Sequence, residues 1–404
     1  MDYRIKMTFR LFRFILKKLI TTNSVLIKYK QNEYLIDNQS DQIILKINDI
    51  KFLKKIFYAP SLVLTEGYMN KNYELPNSTF YEFSELILDN YNYYLEKISK
   101  TFLFKVFLII NPFLQLNFSR KSKNNVASHY DLSDELYDLF LDDTRQYSCA
   151  YFEDANDTLG QAQLNKMDRL SNKLLLSSKD RVLDIGCGWG SLSLHMSNNY
   201  KCNVKGISLS DEQIKYCNLQ KQKQKHKDTD LLEYSLKDYR YENIKYTKIV
   251  SVGMFEHVGK PFFNSYFKKI YDLLEDDGIA VIHTIGNIRT PKITAAFIRK
   301  HIFPGGYIPS LSEIMPAIEK SGLIISDIEV LRLHYAKTLS HWYKNFKKSE
   351  SKILKIYDDK FIRMWEAYLN LSELSFTKGD NVIFQLVLTK KRDSFPLVRP
   401  KITN

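Results

Sequence analysis

Between Arg181 and Gly190 the chain reads Arg-Val-Leu-Asp-Ile-Gly-Cys-Gly-Trp-Gly. A short apolar strand (Val182, Leu183, Ile185) runs into a turn with glycine at 186, 188 and 190, interleaved with Cys187 and Trp189. Such a turn lets backbone approach a flat, polar cofactor with no Cβ atoms in the way. Asp184 places an acid just before it. A generic strand-to-helix turn is the competing interpretation, and a bare GxGxxG would be weak evidence, but the spacing here is G-x-G-x-G. The second strand ends at Gly206-Ile207-Ser208-Leu209-Ser210 with Gln213 beyond, a set of neutral groups able to hydrogen-bond hydroxyls. The next strand, Ile249–Val252, runs into Gly253-Met254-Phe255-Glu256-His257-Val258-Gly259, and a later one ends at His283-Thr284-Ile285-Gly286. A carboxylate and an imidazole at strand ends are groups that can hold or move protons. Tyr147-Ser148-Cys149-Ala150-Tyr151-Phe152 lies upstream and His334-Tyr335-Ala336-Lys337-Thr338-Leu339 downstream. Taken singly, each has a plainer use: Cys149 as a buried apolar filler, Glu256 as a helix-start carboxylate, His257 as a structural group and His283 as a satisfied core histidine. Tyr335 is one of 27 tyrosines.

The elements that must position these groups follow from pattern. At 404 residues two domains are the natural expectation. From about residue 128 strands and helices alternate, with strands expected at 181–185, 203–207, 247–252, 278–284, 323–332 and 381–389. That pattern is an α/β, Rossmann-like doubly wound sheet whose ligand sits beyond the strands' C-terminal ends. Upstream, Val25–Tyr29, Tyr34–Ile36 and Ile43–Ile47 read as strands, Ile50–Phe57 and Thr79–Lys100 as helical, and Thr65-Glu66-Gly67-Tyr68 as a turn. The expected division is 1–110 as a smaller N-terminal α/β domain, 111–127 as a linker and 128–395 as a larger α/β domain.

Composition narrows the classes further. The chain is 44% hydrophobic and 14% aromatic, that of a folded protein. Its four cysteines (Cys149, Cys187, Cys202, Cys217) form no disulfide framework or zinc spacing, so no metal is expected and a reducing cytoplasm fits. Of the net charge of +13, the first 125 residues carry 19 Lys/Arg against 11 Asp/Glu. Met7–Ile20 mixes apolar residues with Arg10, Arg13, Lys17 and Lys18, which excludes a spanning helix and a clean signal-peptide core. It reads either as an amphipathic basic helix on an anionic bilayer or as a first core helix with a wet face. Phe102–Ile110 is apolar but short and interrupted by Lys105.

With these pieces together, the chain resembles the cyclopropane-fatty-acyl-phospholipid synthases and the related mycolic acid cyclopropane synthases. The glycine turn with Asp184 resembles the S-adenosylmethionine (SAM) loop of class I methyltransferases. Glu256-His257-Val258-Gly259 and Tyr147–Phe152 carry the resemblance most specifically. His129-Tyr130-Asp131-Leu132-Ser133, Ile302-Phe303-Pro304-Gly305-Gly306 and Trp342 add to it, over about residues 126–390. It implies SAM as cofactor, in a pocket lined by Tyr147, Ser148, Val182 to Gly190, Ser208, Leu209, Ser210, Gln213, Lys237 and Asp238. It implies methyl transfer to a cis double bond of an unsaturated phospholipid acyl chain, followed by loss of a proton from the added methyl and ring closure. A bound bicarbonate as the base, held by Cys149, Glu256, His283, the backbone at Ile285 and Tyr335, is implied in the same way. So are a lipid- or membrane-associated role for 1–110, a catalytic role for 128–395, a peripheral position at the cytoplasmic face of the membrane and a homodimer.

One departure stands out. Many relatives carry a cysteine after Tyr-Leu-Asn in the C-terminal helix, where this chain has Tyr368-Leu369-Asn370-Leu371-Ser372. Methyl transfer to an alkene draws its electrons from the double bond, so serine at Ser372 is compatible with activity. A methyl- or methylene-branched product on the same site and a non-catalytic lipid-binding scaffold are the alternatives. Nucleic acid is not expected as a partner, since the Asn/Asp-Pro-Pro-Tyr type motif is absent after Val252.

Overall fold

The computed structural model describes residues 3–20, 24–36, 42–56, 59–98, 132–224, 229–292 and 294–398. The expected linker at 111–127, the apolar run Phe102–Ile110 and His129-Tyr130-Asp131 lie outside them. The chain forms two compact units: Met1–Asn111 with Thr294–Ile302 and Phe346–Gly379, and Pro112–Ile293 with Phe303–Asn345 and Asp380–Asn404. This departs from the expected break at a single linker, because two later segments of the chain belong to the first unit.

The first unit opens with helix α1 (Tyr3–Leu19), followed by strands β1 (Ser24–Tyr29), β2 (Asn32–Ile36) and β3 (Gln42–Ile47). Helix α2 (Pro60–Met69), strand β4 (Tyr73–Glu74) and helix α3 (Phe80–Ile98) complete its N-terminal part. The sheet order is β2-β1-β3-β4. Phe9, Phe12, Leu16 and Ile20 pack into a core with Val25, Ile27 and Leu45. The other face of α1 leaves Met7, Leu11, Phe14 and Ile15 exposed beside exposed Arg10, Lys17 and Lys18. Both interpretations of Met7–Ile20 therefore describe part of it: one stripe is core and the other is apolar, basic and open to solvent. Thr65-Glu66-Gly67-Tyr68 is not a turn but the last part of α2. Gly67 serves helix packing there, since a Cβ would stand 2.8 Å from the Phe52 ring. The helix Asp359–Thr377 belongs to this unit; the Tyr68 hydroxyl donates to Glu366 Oε2 at 3.0 Å and Arg363 donates to the Tyr68 carbonyl at 3.2 Å.

The second unit begins, among its described residues, with helices α4 (Asp134–Phe140) and α5 (Leu159–Leu174). Then come β5 (Arg181–Ile185), α6 (Ser191–Tyr200), β6 (Asn203–Ser208), α7 (Asp211–Lys223), β7 (Leu232–Leu236) and β8 (Tyr246–Val252). They are followed by α8 (Phe263–Leu273), β9 (Leu274–Asn287), α9 (Leu311–Ser321), β10 (Ile324–Leu331), α10 (His334–Lys348) and β11 (Asn381–Thr389). The seven strands lie in the order β10-β11-β9-β8-β5-β6-β7. β5 through β9 pair in parallel, while β11 runs antiparallel to both β9 and β10. This is the class I methyltransferase fold, and strand β7 is the element that the sequence pattern did not mark. One face of the sheet packs Ile249, Phe267 and Ile314, and the other packs Leu170, Leu192 and Met196. Burial of both faces gives β5 and β8 their near-continuous apolar runs. The neighbours of β5 are β6 on one side and β8 on the other, so a crevice opens past its C-terminal end where successive crossovers diverge.

Candidate active site

The turn after β5 occupies that crevice. Gly186, Gly188 and Gly190 have φ of +80°, +56° and +81°, values L residues rarely adopt. The N–H groups of Gly186 and Cys187 both donate to the Ile207 carbonyl, at 2.9 and 3.0 Å, which fixes the turn against β6. A Cβ on Gly190 would stand 2.7 Å from Cys217 Sγ and from Tyr234 Oη, whereas one on Gly188 would meet nothing within 4 Å. Gly190 is thus packed from behind and Gly188 faces open space.

That space is a cleft walled by the glycine turn, the end of β6, the residues after β8 and the Arg145–Ser148 segment. Asp184 lies in its wall; Ser193 Oγ donates to the carboxylate at 2.7 Å, yet burial pushes the carboxyl up to about 6. At the end of β6, Ser208 Oγ donates to Gln213 Oε1 at 2.7 Å and the Lys237 N–H donates to the Ser208 carbonyl at 3.0 Å. Opposite, Ser148 Oγ accepts from the buried Lys166 Nζ at 2.8 Å. Burial lowers the Lys166 ammonium to about 8. The Arg145 guanidinium closes this side, ion-paired to Asp138 at 2.5 Å and lying 4.1 Å over the Tyr216 ring.

A second polar set lies deeper in the same unit. Glu256 sits on the 3₁₀ turn Phe255–His257 after β8, and its Oε1 accepts the Ile285 N–H at 2.6 Å. His283, two residues before Ile285 on β9, is buried, and its carbonyl accepts the Gly253 N–H at 2.9 Å. Glu256 Oε2 and His283 Nε2 are both buried and have no protein hydrogen-bond partner among the described residues. Burial pushes the Glu256 carboxyl up to about 7 against the pull of the Ile285 N–H. The segment bearing Cys149 is pinned to the start of α10: Ala150 N–H donates to Thr338 Oγ1 at 3.1 Å, and Phe152 N–H to His334 Nδ1 at 3.1 Å. Tyr335 meets Trp342 edge-on at 5.7 Å between ring centres, and Trp342 lies 5.2 Å from the Tyr147 ring. This aromatic row ties Tyr335 to the wall of the cleft.

Residues 118–386 match the family described as mycolic acid cyclopropane synthetase. This chain belongs to the mycolic acid cyclopropane synthetase family. A probable fatty acid methyltransferase of Pseudomonas putida is 38% identical over 279 residues, 67% of this chain and 70% of its own length. The cyclopropane-fatty-acyl-phospholipid synthase of Escherichia coli K12 is 34% identical over 348 residues, 86% of this chain and 87% of its own. Among solved structures, mycolic acid cyclopropane synthase CmaA1 complexed with SAH and CTAB superposes with a TM-score of 0.62 at 30% identity, covering 66% of this chain and 97% of its own.

In this synthetase-family chain most of the residues expected at the cofactor line the cleft: Tyr147, Ser148, Asp184 through Trp189, Ser208, Leu209, Gln213 and Lys237. Val182 and Leu183 do not, being strand residues in the cores of the two sheet faces. Gly190 and Ser210 stand behind the lining: Ser210 caps α7 by accepting from the Gln213 N–H. The Asp238 carboxylate is turned to Arg240, which donates from Nη2 at 2.7 Å. Of the Ile285 backbone, expected to help hold an anion, the N–H is used by Glu256. The Cys149 thiol is buried, donates to the Ala150 carbonyl at 3.2 Å and is held protonated by burial. Ser372 falls in the first unit, on the helix Asp359–Thr377, whereas all the others lie in the second. The sequence did not single out Arg145, Met254 and Phe262, which line the cleft, or Lys166 behind it. Only the adjacency of Arg145 to Tyr147 and of Met254 to Glu256 could have pointed to them.

Proposed function

We propose that this chain is a SAM-dependent methyltransferase that cyclopropanates unsaturated acyl chains of membrane phospholipids. The observation that carries this reading is Glu256, its Oε1 on the Ile285 N–H and its Oε2 buried with no partner among the described residues, in the same unit as buried His283 and a glycine-turn cleft.

SAM, when bound, supplies an electrophilic methyl group for the alkene. The turn at Gly186 to Gly188 would give the cofactor a backbone floor, Asp184 would accept from its ammonium, and Ser208 with Gln213 would meet the ribose through neutral groups. The aromatic rings of Tyr147, Trp342 and Tyr335 offer π-faces to positive charge developing on the acyl chain. The residues present fit a small hydroxylated anion: Glu256 Oε2 accepts and His283 Nε2 donates, with Tyr335 as a further donor. Bicarbonate held there would supply a base for the proton released as the ring closes.

No helix among the described residues is long and apolar enough to cross a membrane. The exposed stripe of α1 supports a peripheral position on an anionic bilayer at the cytoplasmic face: Met7, Leu11, Phe14 and Ile15 would enter the headgroup boundary while Arg10, Lys17 and Lys18 meet lipid phosphates. Sedimentation of the full chain tests the homodimer implied by resemblance.

The deciding experiment is mass spectrometry of acyl chains after incubating the protein with SAM and vesicles of cis-monounsaturated phospholipid. The expected product gains one CH₂, loses its double bond and resists hydrogenation at the former alkene. A branched product would overturn ring closure, and an unchanged mass with SAM bound would overturn the choice of acceptor.

A further inference from the structure

His283 does not stand alone on β9. Strand β11 runs antiparallel beside it, in a register that sets Gln385 directly opposite His283. Gln385 Nε2 lies 3.0 Å from His283 Nδ1, and Gln385 Oε1 accepts from Lys173 Nζ at 2.6 Å. Lys173 comes from α5 and also donates to Glu329 Oε2 of β10 at 2.5 Å, where Arg169 Nε donates as well at 2.8 Å. His283, Gln385 and Lys173 are all buried.

We propose that Gln385, oriented by Lys173, is a positioning residue that holds His283 as a neutral imidazole carrying its proton on Nε2. The argument is one of donors and acceptors. An ammonium has only donors, so the amide atom facing Lys173 is the carbonyl oxygen. The amide nitrogen therefore faces the imidazole, and since an NH₂ group only donates, Nδ1 must offer its lone pair. A neutral imidazole has one N–H, which then sits on Nε2. An imidazolium would set a Nδ1–H against the amide NH₂, donor against donor. The charged groups around the ring act in the same direction: burial and the cations of Lys166 and Lys173 hold its pKa well below the usual histidine range. Glu329 is spent on Lys173 and Arg169, and Glu256 is held by the Ile285 N–H.

The consequence is a division of labour. Nε2, which has no protein partner among the described residues, is thereby left as a fixed donor. His283 can hold an oxygen there and cannot serve as the proton acceptor. What that donor holds rests on the functional reading above; the tautomer does not.

The test is ¹⁵N NMR of the full-length chain with selectively labelled histidine, His283 being assigned by the signal lost in His283→Asn. The expected spectrum near neutral pH has a protonated Nε2 and an unprotonated Nδ1. In Gln385→Glu a carboxylate accepts from both neighbours, and Nδ1 becomes protonated. Gln385→Leu removes the donor to Nδ1 and lowers turnover about tenfold to a hundredfold, the range for loss of a site histidine's outer partner, with SAM affinity unchanged. A wild-type Nδ1–H tautomer or imidazolium overturns the proposal, and so does full turnover in Gln385→Leu. The wild-type spectrum decides even if a variant fails to fold. A wild-type protein with Nε2–H that forms no cyclopropane supports this proposal and counts against the functional reading alone.

Discussion

Glu256 sits where burial and chemistry pull in opposite directions. To accept from a hydroxylated anion its carboxyl must be ionised, yet burial pushes its pKa to about 7 from 4.5. The sign of the resulting linkage is fixed. A carboxyl whose pKa rises on folding holds its proton in the native state where the unfolded chain releases it. Its stabilising effect is complete below about pH 4.5 and is lost as pH rises through about 7. Function and stability therefore run against each other across that window. The kcat/KM for the acyl substrate is expected to rise with pH with an apparent pKa near 7, since that profile reports the free enzyme. Glu256→Gln keeps SAM affinity by calorimetry, loses nearly all turnover, and loses less stability than the wild type between about pH 5 and pH 8 in denaturant melts. A flat wild-type profile, or a variant that loses SAM, would assign Glu256 to the wrong role. At this scale the sequence reached Glu256, His283 and Tyr335 through short motifs and family resemblance. It did not reach Gln385, Lys173 or Lys166, because each is an ordinary polar residue in its own element. Their meaning arises from a cross-strand register spanning 102 residues, or from a helix laid behind the cleft.

Among elements, the glycine turn was the most legible, because its requirement is local: three positive φ values within five residues leave little choice of residue type. The structure separates the glycines by what lies beyond each. Gly188→Ala adds a methyl group to the open side of the cleft, so it is expected to cost about 1–2 kcal/mol of backbone strain. It should also weaken SAM binding about tenfold, or about 1.4 kcal/mol. Gly190→Ala drives a Cβ against Cys217 and Tyr234, so its main loss is in stability, read by the unfolding midpoint. A Gly188→Ala protein that binds SAM as the wild type does would remove this turn from the cofactor floor. Elsewhere glycine misled: Gly67 looked like a turn signal and is instead a place where helix α2 presses on the Phe52 ring. Strand β7 escaped because its alternation (Leu232 buried, Glu233 exposed) is that of a half-wet edge strand beside a polar Lys/Gln-rich helix. The late helix Asp359–Thr377 carries no sign in its own residues that it belongs to the first unit; that follows from partners such as Tyr68.

For the whole molecule, the proposed activity asks how a chain with a net charge of +13 would reach an acyl chain packed in a bilayer. Attraction between a basic surface and anionic headgroups acts over a Debye length, about 10 Å at 0.1 M salt, and each basic residue near the surface adds about 1 kcal/mol. Apolar insertion adds a part that salt does not screen. α1 offers both on one stripe, and its two faces can be tested against each other. Phe14 is 58% exposed and Phe12 only 5%. Phe12→Ala should therefore cost about 3–5 kcal/mol of stability by opening the first unit's core. Phe14→Ala should leave the melt unchanged and weaken binding to vesicles containing anionic phospholipid. For the wild type, flotation with such vesicles should fall steeply between about 0.05 and 0.5 M salt, because screening removes the headgroup term and leaves the insertion term. Lys17→Gln with Lys18→Gln should flatten that dependence, and Leu11→Ser with Phe14→Ser should lower binding at every salt concentration by a similar factor. If flotation is indifferent to both pairs, α1 is only the lid of its own core.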